Sequence, residues 1–220
     1  MRNATKVFAS TFGAIMALAG IEHGIGEVLQ GNVAPSGTMF MSWPESEFFR
    51  SLGGEPAMTI VPNLLVTGIL AILISLILLV WVTLFVQRKN GGLIMILLSI
   101  AMLLVGGGIF PPLLGIIIGA VGTRINAPLT WWRAHLSVGF GNFLKKLWPW
   151  SYTACIIAWL SALLGPGLLG YFFGVNNPAL ILMILFLALG FLLLTVFTGF
   201  AYDIQSQADS SSGTSDSQVT

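Results

Sequence analysis

The chain has 220 residues, of which 56% are hydrophobic and 8% are charged, and its formal net charge is +1. A soluble domain carries about 25% charged residues because its surface faces water, so this composition excludes a soluble protein and offers nothing that would attract nucleic acid. The apolar residues stand in long runs, which is typical of proteins solvated by lipid. We therefore predict an all-α fold, a polytopic integral membrane helical bundle in which residues 1–204 form a single transmembrane domain.

The first span is predicted over residues 7–29, after a basic start at Arg2 and Lys6. The sequence Ala17-Leu18-Ala19 would also suit cleavage of residues 1–19 as a signal peptide. The helical pattern continues beyond that point, so an uncleaved span is favoured. Either alternative places the following loop outside.

The outer loop is predicted over residues 30–58. In this loop Ser42 and Glu45 have the spacing of a capping box, in which a serine hydroxyl and an acidic side chain bind backbone groups at the start of a helix. We therefore expect a short helix from Trp43 to about Leu52, lying on the membrane surface.

The second span is predicted over residues 63–86, which supply the roughly 20 apolar residues needed to cross the hydrocarbon core. The next apolar segment, residues 93–122, is too long for a simple span and too short for two. Its middle contains three glycines followed by Pro111 and Pro112. Proline removes a backbone donor and disfavours helix in the residue before it, so we predict that the helix breaks within residues 106–112.

Residues 123–150 are more polar, and their apolar side chains recur at spacings of three and four, as on one face of a helix. The residues of this face are Leu129, Trp132, Leu136, Phe140, Phe143 and Leu147. A basic amphipathic helix with tryptophans lies in the membrane plane. Arg133, Lys145 and Lys146 are candidate contacts for lipid headgroups, and anionic ones would attract each basic residue by about 1 kcal/mol. Ordinary anchoring to the bilayer explains the same residues and is favoured.

Two further full spans are predicted over residues 151–173 and 179–202, and their short connection makes them an antiparallel hairpin. The bundle therefore has four full spans, one broken re-entrant or hairpin segment and one interfacial amphipathic helix. Residues 205–220 consist almost entirely of small and polar side chains, which predicts a disordered tail.

The positions of the basic residues decide the predicted orientation, because lysine and arginine concentrate in cytoplasmic loops. If residues 93–122 cross the membrane once, four basic residues lie on one side and five on the other. If this segment returns to the side where it entered, eight lie inside and only Arg50 lies outside. We therefore predict a hairpin, a cytoplasmic segment 123–150, and a protein of the cell membrane with both termini in the cytoplasm.

Three ionisable residues, Glu22, His23 and Glu27, lie toward the outer end of the first span. His23 and Glu27 are four residues apart and share a helix face, and Glu22 is one step around it. Ionisable groups at membrane depth are costly and usually face a partner or a water-filled cavity, so these residues are a candidate ion or proton site. On the sequence alone, a helix end solvated among lipid headgroups is the favoured interpretation.

The sequence contains no recognisable catalytic set, and an enzyme is not predicted. Residues 165–170 match the pattern GxGxxG, but this motif binds dinucleotides only between a strand and a helix, and here it interrupts a span. Cys155 is the only cysteine, and His135 is expected on the opposite side of the membrane from His23. Neither a haem nor a metal site is therefore predicted, and no cofactor is expected.

Small-solute or ion transport, by this chain alone or as a channel component, is the preferred functional interpretation, because non-helical backbone at membrane depth lines binding sites in transporters. A non-catalytic membrane subunit or scaffold is the alternative. A polar cavity from Glu22 and Glu27 to the two prolines would favour transport, and a sealed bundle would favour a scaffold. The expected partners are the lipid bilayer with its anionic headgroups, and a second copy of the chain or other membrane subunits.

Overall fold

The structure, a computed structural model, describes residues 3–216. Its helices are α1 (Ala4–Gln30), α2 (Leu64–Val80), α3 (Gly91–Leu104), α4 (Phe110–Gly122), α5 (Thr130–His135), α6 (Val138–Phe173) and α7 (Pro178–Asp216). A turn of π-helix, Trp81–Phe85, extends α2. Among the described residues, four helices are long and apolar enough to cross a membrane: Ala4–Gln30, Leu64–Phe85, Val138–Phe173 and Pro178–Asp209. This confirms the predicted all-α class with four spans.

α1 and α2 cross in close contact at a pair of glycines. A Cβ atom on Gly24 would lie 2.8 Å from the carbonyl oxygen of Gly68, and a Cβ atom on Gly68 would lie 2.5 Å from the carbonyl oxygen of Gly24. Both distances are shorter than a van der Waals contact, so no larger residue fits at either position. On the N-terminal side of this crossing, α1 packs into the main core, whose large side chains include Phe8, Phe12, Met16, Leu78, Val82 and Met95.

α3 and α4 form the hairpin that replaces a simple span. They contain 14 and 13 residues, or about 20 Å each, and the hydrocarbon core is about 30 Å thick. The helix is interrupted between Leu104 and Phe110, where Gly106 (φ 92°) and Gly108 (φ 80°) adopt left-handed conformations. Pro111 and Pro112 lie in the first turn of α4, where proline is tolerated because its missing N–H would have no helical partner.

The start of α3 and the end of α4 lie together at one end of the bundle, and the tip of the hairpin lies at the other end. Gly92 at the start of α3 packs against the backbone of Gly119 and Thr123 at the end of α4. At the tip, the backbone N–H of Ile60 donates to the carbonyl of Leu104 at 3.0 Å, so the tip meets the chain just before α2 begins. The segment therefore turns back toward the side where it entered.

The start of α1 and the last third of α7 meet at one end of the bundle. The Asp203 carboxylate on α7 accepts hydrogen bonds from the backbone N–H groups of Ala4 at 2.6 Å and Thr5 at 3.0 Å. The side chain of Asn3 donates to the carbonyl of Ile125, just after α4, at 2.7 Å. The beginning of α1, the end of α4 and the end of the spanning part of α7 thus share one side.

The amphipathic helix differs from its prediction. The helix is interrupted at Leu136 and Ser137. From Val138 to Phe173, α6 is continuous, so residues 138–150 belong to the same helix as the predicted span 151–173. The ring of Trp148 packs against those of Tyr152 and Tyr202. The ring of Trp148 thus stacks on a ring one turn further along the same helix, and α6 continues past residue 150.

Composition predicts a disordered tail over residues 205–220, and in the structure the described part of this segment, residues 205–216, continues α7. Lys145 on α6 forms an ion pair with Asp209 at 2.5 Å, and Arg133 on α5 donates to the side chain of Gln207. The polar side chains at the start of the tail have partners on neighbouring helices, which composition does not reveal. Residues 217–220 of the predicted tail, and Met1 and Arg2, lie outside the described residues.

The outer loop does not form the predicted helix from Trp43 to Leu52. It forms an antiparallel hairpin of strands β1 (Met39–Met41) and β2 (Pro56–Met58), and its helical part is one 3-10 turn, Arg50–Leu52. Backbone hydrogen bonds from Ser42 to Glu55 and from Trp43 to Gly54 extend the hairpin. Ser42 thus pairs across the loop and does not cap a helix.

Candidate functional site

Two residues of α1 and one residue of the outer loop form an ionisable cluster. Nδ1 of His23 lies 3.0 Å from Oε2 of Glu22, and Nε2 of His23 lies 3.0 Å from Oε2 of Glu55. We call Glu22, His23 and Glu55 the Glu–His–Glu cluster. Their side chains are 33%, 5% and 16% exposed, so the imidazole is enclosed between the two carboxyl groups.

The hydrogen bonds of His23 require a proton between the imidazole and Glu55. Nδ1 lies 3.0 Å from the carbonyl oxygen of Ala19, and because a carbonyl only accepts, Nδ1 carries a hydrogen. A neutral imidazole protonated at Nδ1 has a bare Nε2, which would then face the bare lone pairs of a carboxylate oxygen. The 3.0 Å distance to Glu55 is explained by a proton on Nε2 or on the carboxyl group.

The titration of Glu55 is shifted by its surroundings. Burial raises the pKa of the Glu55 carboxyl to about 7; the attraction of His23 opposes this change, and the negative charge of Glu22 adds to it. Desolvation dominates because the charged carboxylate loses its water when it is enclosed. The cluster can therefore gain or lose a proton close to neutral pH.

Glu55 occupies an unusual backbone conformation. Its φ of 57° is left-handed, as are those of Gly53 (67°) and Gly54 (77°), and this conformation costs a non-glycine residue about 1–2 kcal/mol. Such strain persists where the surrounding structure enforces it, often at functional sites. Sequence reasoning missed Glu55: the only local signal is an acidic residue between two glycines and Pro56, which does not reveal what the side chain faces.

Glu27, the third residue of the predicted site, is not part of the cluster. Its side chain is fully buried, and the hydroxyl of Ser42 donates to its Oε1 at 3.4 Å. Among the described residues, its Oε2 has no hydrogen-bond partner. A Cβ atom on Gly106, at the tip of the α3–α4 hairpin, would overlap both carboxyl oxygens. Two of the three predicted residues, His23 and Glu27, are thus buried inside the protein.

The tip of the hairpin also positions His23. A Cβ atom on Gly108 would lie 2.5 Å from Nε2 of His23, so only glycine lets the backbone come this close to the ring. The glycines that interrupt the helix therefore bring the backbone of the hairpin against both buried ionisable residues of α1. A substitution at Gly106 or Gly108 would have to displace Glu27 or His23.

A cavity of about 610 Å³ lies beside the Glu–His–Glu cluster, and all three members of the cluster line it. Its walls are formed by α1, the outer loop, the start of α4, α6 and α7. Apart from the cluster, the described residues that line it are hydrophobic and include Phe48, Leu52, Phe110, Pro111, Trp159 and Leu185. The cavity thus extends from Glu22 to the first of the two prolines, but it is largely apolar and Glu27 does not line it.

The cluster also has the composition of a cation site. Glu22, His23 and Glu55 each offer one ligand atom, and these atoms lie within 4.8 Å of one another. Carboxylate oxygen and imidazole nitrogen are ligands for several divalent metals. The same geometry suits a proton or an organic cation, so the donor set alone does not choose among positively charged ligands.

The predicted headgroup contacts lie together at the opposite end of the bundle. Arg133 donates to the carbonyl of Pro128 at 2.8 Å, Lys145 pairs with Asp209, and Lys146 is exposed. Their contact with lipid headgroups stays a prediction. Asp203, which joins α7 to α1, was also missed by sequence reasoning, although an aspartate directly after an apolar span is a recognisable signal.

Comparison of the chain with known protein families, with curated proteins and with solved structures gives no match. The case for function therefore rests on the geometry of the cluster and its cavity.

Proposed function

We propose that the protein is a transporter, or the solute-carrying component of one, in which a small solute binds in the cavity in exchange for the proton of the Glu–His–Glu cluster. The observation that carries the proposal is the 3.0 Å contact between His23 and Glu55 in the wall of a cavity between the helices of the bundle and the loop that joins α1 to α2. Titratable groups that line a cavity between membrane helices commonly mark transport pathways and proton relays.

Charge accounts for the coupling between solute and proton. With one shared proton and with Glu22 ionised, the cluster has a net charge of −1, and loss of that proton makes the net charge −2. A second negative charge among apolar walls is costly, so the proton leaves more easily when a cation takes its place. Solute and proton then lower each other's affinity by the same factor, as linkage requires.

We propose further that the protein lies in the cell membrane with both termini in the cytoplasm. Support comes from the contact between the start of α1 and Asp203 of α7, because it joins the first described turn of the chain to the end of its last apolar helical segment. Among the described basic residues, all except Arg50 fall in segments on that side, and basic residues concentrate in the cytoplasm. The Glu–His–Glu cluster is then accessible from the outer half of the bilayer.

Proton flux in liposomes tests the proposal. Purified protein is reconstituted into liposomes loaded with the pH-sensitive dye pyranine, and alkali cations, divalent cations and tetraphenylphosphonium are added outside, one at a time. We expect at least one of these probes to raise the internal pH faster than in protein-free liposomes, because protons leave as the solute enters.

Two variants decide whether that flux passes through the cluster. Glu55→Gln keeps the shape of the side chain but removes its charge, and it should abolish the flux. Glu45→Gln changes an exposed acidic residue of the same loop and should leave the flux unchanged. If no probe moves protons, or if Glu55→Gln behaves as wild type, the transport proposal is wrong and a non-catalytic scaffold becomes the better account.

A further inference from the structure

The cavity has two chemically distinct parts, which limits the kind of solute that can fill it. One wall carries two carboxyl groups and an imidazole. The described side chains that line the cavity from α4, α6 and α7 are uncharged and predominantly apolar, including Phe110, Trp159 and Leu182. A solute that fills it must therefore present one charged or strongly polar group and a much larger apolar body.

The volume argues against an inorganic ion as the natural occupant. Pockets for organic ligands usually measure about 300–1,000 Å³, and this cavity, at about 610 Å³, lies within that range. An ion bound at the cluster would occupy a small part of it and would leave apolar walls without contacts. An organic molecule would bury those walls, and burial of apolar surface contributes about 25 cal/mol per Å².

The apolar side of the cavity is open toward the lipid. Four lining side chains on the helices around it are about half exposed: Leu18 (56%), Phe110 (55%), Leu164 (51%) and Leu182 (52%). All four are apolar residues on α1, α4, α6 and α7, whose exposed surface faces hydrocarbon. A molecule dissolved in the bilayer can therefore reach the cavity without crossing water.

The sign of the solute's charge follows from the groups that face Glu55. On α1 these are Glu22 and His23, and Glu27 lies farther along the same helix; α4, α6 and α7 contribute no charged group to the lining. With Glu22 ionised and a single proton shared by His23 and Glu55, the cluster therefore carries a net negative charge. Phe48 and Trp159 also line the cavity, and aromatic faces attract organic cations.

We infer that the solute is a lipophilic organic cation, which enters from the bilayer and places its positive charge against the carboxyl groups of Glu22 and Glu55, on the cavity side of the cluster, in exchange for the shared proton. This inference rests on the proposed function and specifies its substrate class. No covalent step is involved: one proton leaves the cluster for water, and one cation takes its place.

A pair of ions with the same shape and opposite charge tests the inference. Tetraphenylphosphonium and tetraphenylborate are titrated calorimetrically into the purified full-length protein in a non-ionic detergent. We expect tetraphenylphosphonium to bind and tetraphenylborate not to bind. At pH 6, measurements in two buffers of different ionisation enthalpy should show proton release, which should vanish above pH 8. The affinity should fall by up to about tenfold per pH unit on acidification below pH 7.

Four variants locate the binding. Glu55→Gln should weaken tetraphenylphosphonium binding by at least about tenfold, whereas Glu45→Gln should bind as wild type. Leu182→Trp fills the cavity from a lipid-exposed position and should also weaken binding. Leu187→Trp, on the same helix with 57% exposure and outside the cavity, should not. The tryptophan pair keeps the test valid if Glu55→Gln does not fold.

The substrate class and the transport proposal can fail separately. Equal binding of both tetraphenyl ions, or binding that Leu182→Trp leaves unchanged, overturns the inference. If a divalent cation moves protons through the cluster in liposomes while tetraphenylphosphonium neither binds nor moves them, the substrate class is wrong and the transport proposal stands. If no probe moves protons, the transport proposal falls as well.

Discussion

Asp203 on α7 stabilises the first turn of α1, and its replacement by alanine should lower the stability of the whole bundle. Its carboxylate accepts hydrogen bonds from the N–H groups of Ala4 (2.6 Å) and Thr5 (3.0 Å) and from the hydroxyl of Thr5 (2.6 Å). The first N–H groups of a helix have no partner within the helix. Asp203 and Thr5 are only 4% and 2% exposed, so water replaces the carboxylate poorly.

The expected loss follows from these three bonds. A buried donor left without an acceptor costs about 1–3 kcal/mol. Water can reach some of the three donors when the helix end relaxes, which reduces their total cost. We therefore expect Asp203→Ala to lower the free energy of unfolding by about 3 kcal/mol. At about 2–4 °C per kcal/mol for a chain of this size, Tm should fall by about 6–12 °C. Asp203→Asn keeps one acceptor oxygen and should lose roughly half as much.

Cys155 provides the assay because it is the only cysteine in the chain and is fully buried. A maleimide dye that fluoresces on reaction with a thiol reports unfolding as the detergent-solubilised protein is heated. Asp209→Asn is the matched control: it lies on the same helix and pairs with Lys145, but its side chain is 68% exposed, and exposed ion pairs contribute about 0–1 kcal/mol. An Asp203→Ala protein that melts no lower than Asp209→Asn would refute the reasoning.

Three further predictions concern the hairpin tip, the cluster and the topology. Gly106→Ala should destabilise the protein by more than about 2 kcal/mol in the same thiol assay, because left-handed backbone costs alanine about 1–2 kcal/mol and the new Cβ would overlap the Glu27 carboxyl. Gly190→Ala, within α7 where a Cβ atom meets nothing within 4 Å, should be neutral or stabilising. The pKa of Glu55 rises from 4.5 to about 7 on folding, so its stabilising contribution is complete below pH 4.5 and is lost as the pH rises through 7. Denaturant titrations should show wild type losing roughly 3 kcal/mol relative to Glu55→Gln across this window, and equal pH profiles would contradict the shift. A cysteine introduced at position 137 in a Cys155→Ala background should react with a membrane-impermeant maleimide only from the cytoplasmic side, and labelling from outside would exclude the hairpin topology.

The spans were predictable because a helix in lipid requires a long, uninterrupted run of apolar residues. A helix needs about 20 apolar residues to cross the hydrocarbon core, and the predicted span 63–86 corresponds to the helical segment Leu64–Phe85. The interruption of residues 93–122 was also predictable, since three consecutive glycines followed closely by two consecutive prolines strongly disfavour a continuous helix. Gly106 and Gly108, which lie within the predicted residues 106–112, interrupt the helix with positive φ angles, whereas Pro111 and Pro112, the predicted helix break, lie in the first turn of the next helix.

Helix ends that depend on tertiary partners could not be predicted. The polar composition of residues 205–220 favours disorder, but Asp209 has an ion-pair partner on α6, and the helix continues. Ser42 has the sequence context of a helix cap, yet its hydroxyl donates to Glu27. A local sequence pattern indicates only which hydrogen bonds a residue can form with its neighbours in sequence. Partners that are distant in sequence compete for the same groups, and the pattern does not reveal them.

The candidate site was half predictable for the same reason. Glu22 and His23 could be recognised as candidate site residues because ionisable side chains within an apolar span are rare. Glu55 is 32 residues from His23 in sequence, and three successive left-handed residues direct it back toward α1. No periodicity or motif encodes that contact. Sequence reasoning also grouped Glu27 with His23 because they share a helix face, whereas the hairpin tip at Gly106 encloses Glu27 separately.

The central claim is that the Glu–His–Glu cluster holds an exchangeable proton in the wall of the cavity. Difference infrared spectroscopy of the protein in lipid tests it directly, because protonated carboxyl groups and imidazolium rings both have bands that disappear on deprotonation. Our account predicts that such a band is lost between about pH 6 and 8 in wild type, and that Glu55→Gln removes or shifts this transition. A wild-type spectrum without any such transition, or the same transition in Glu55→Gln, would contradict it.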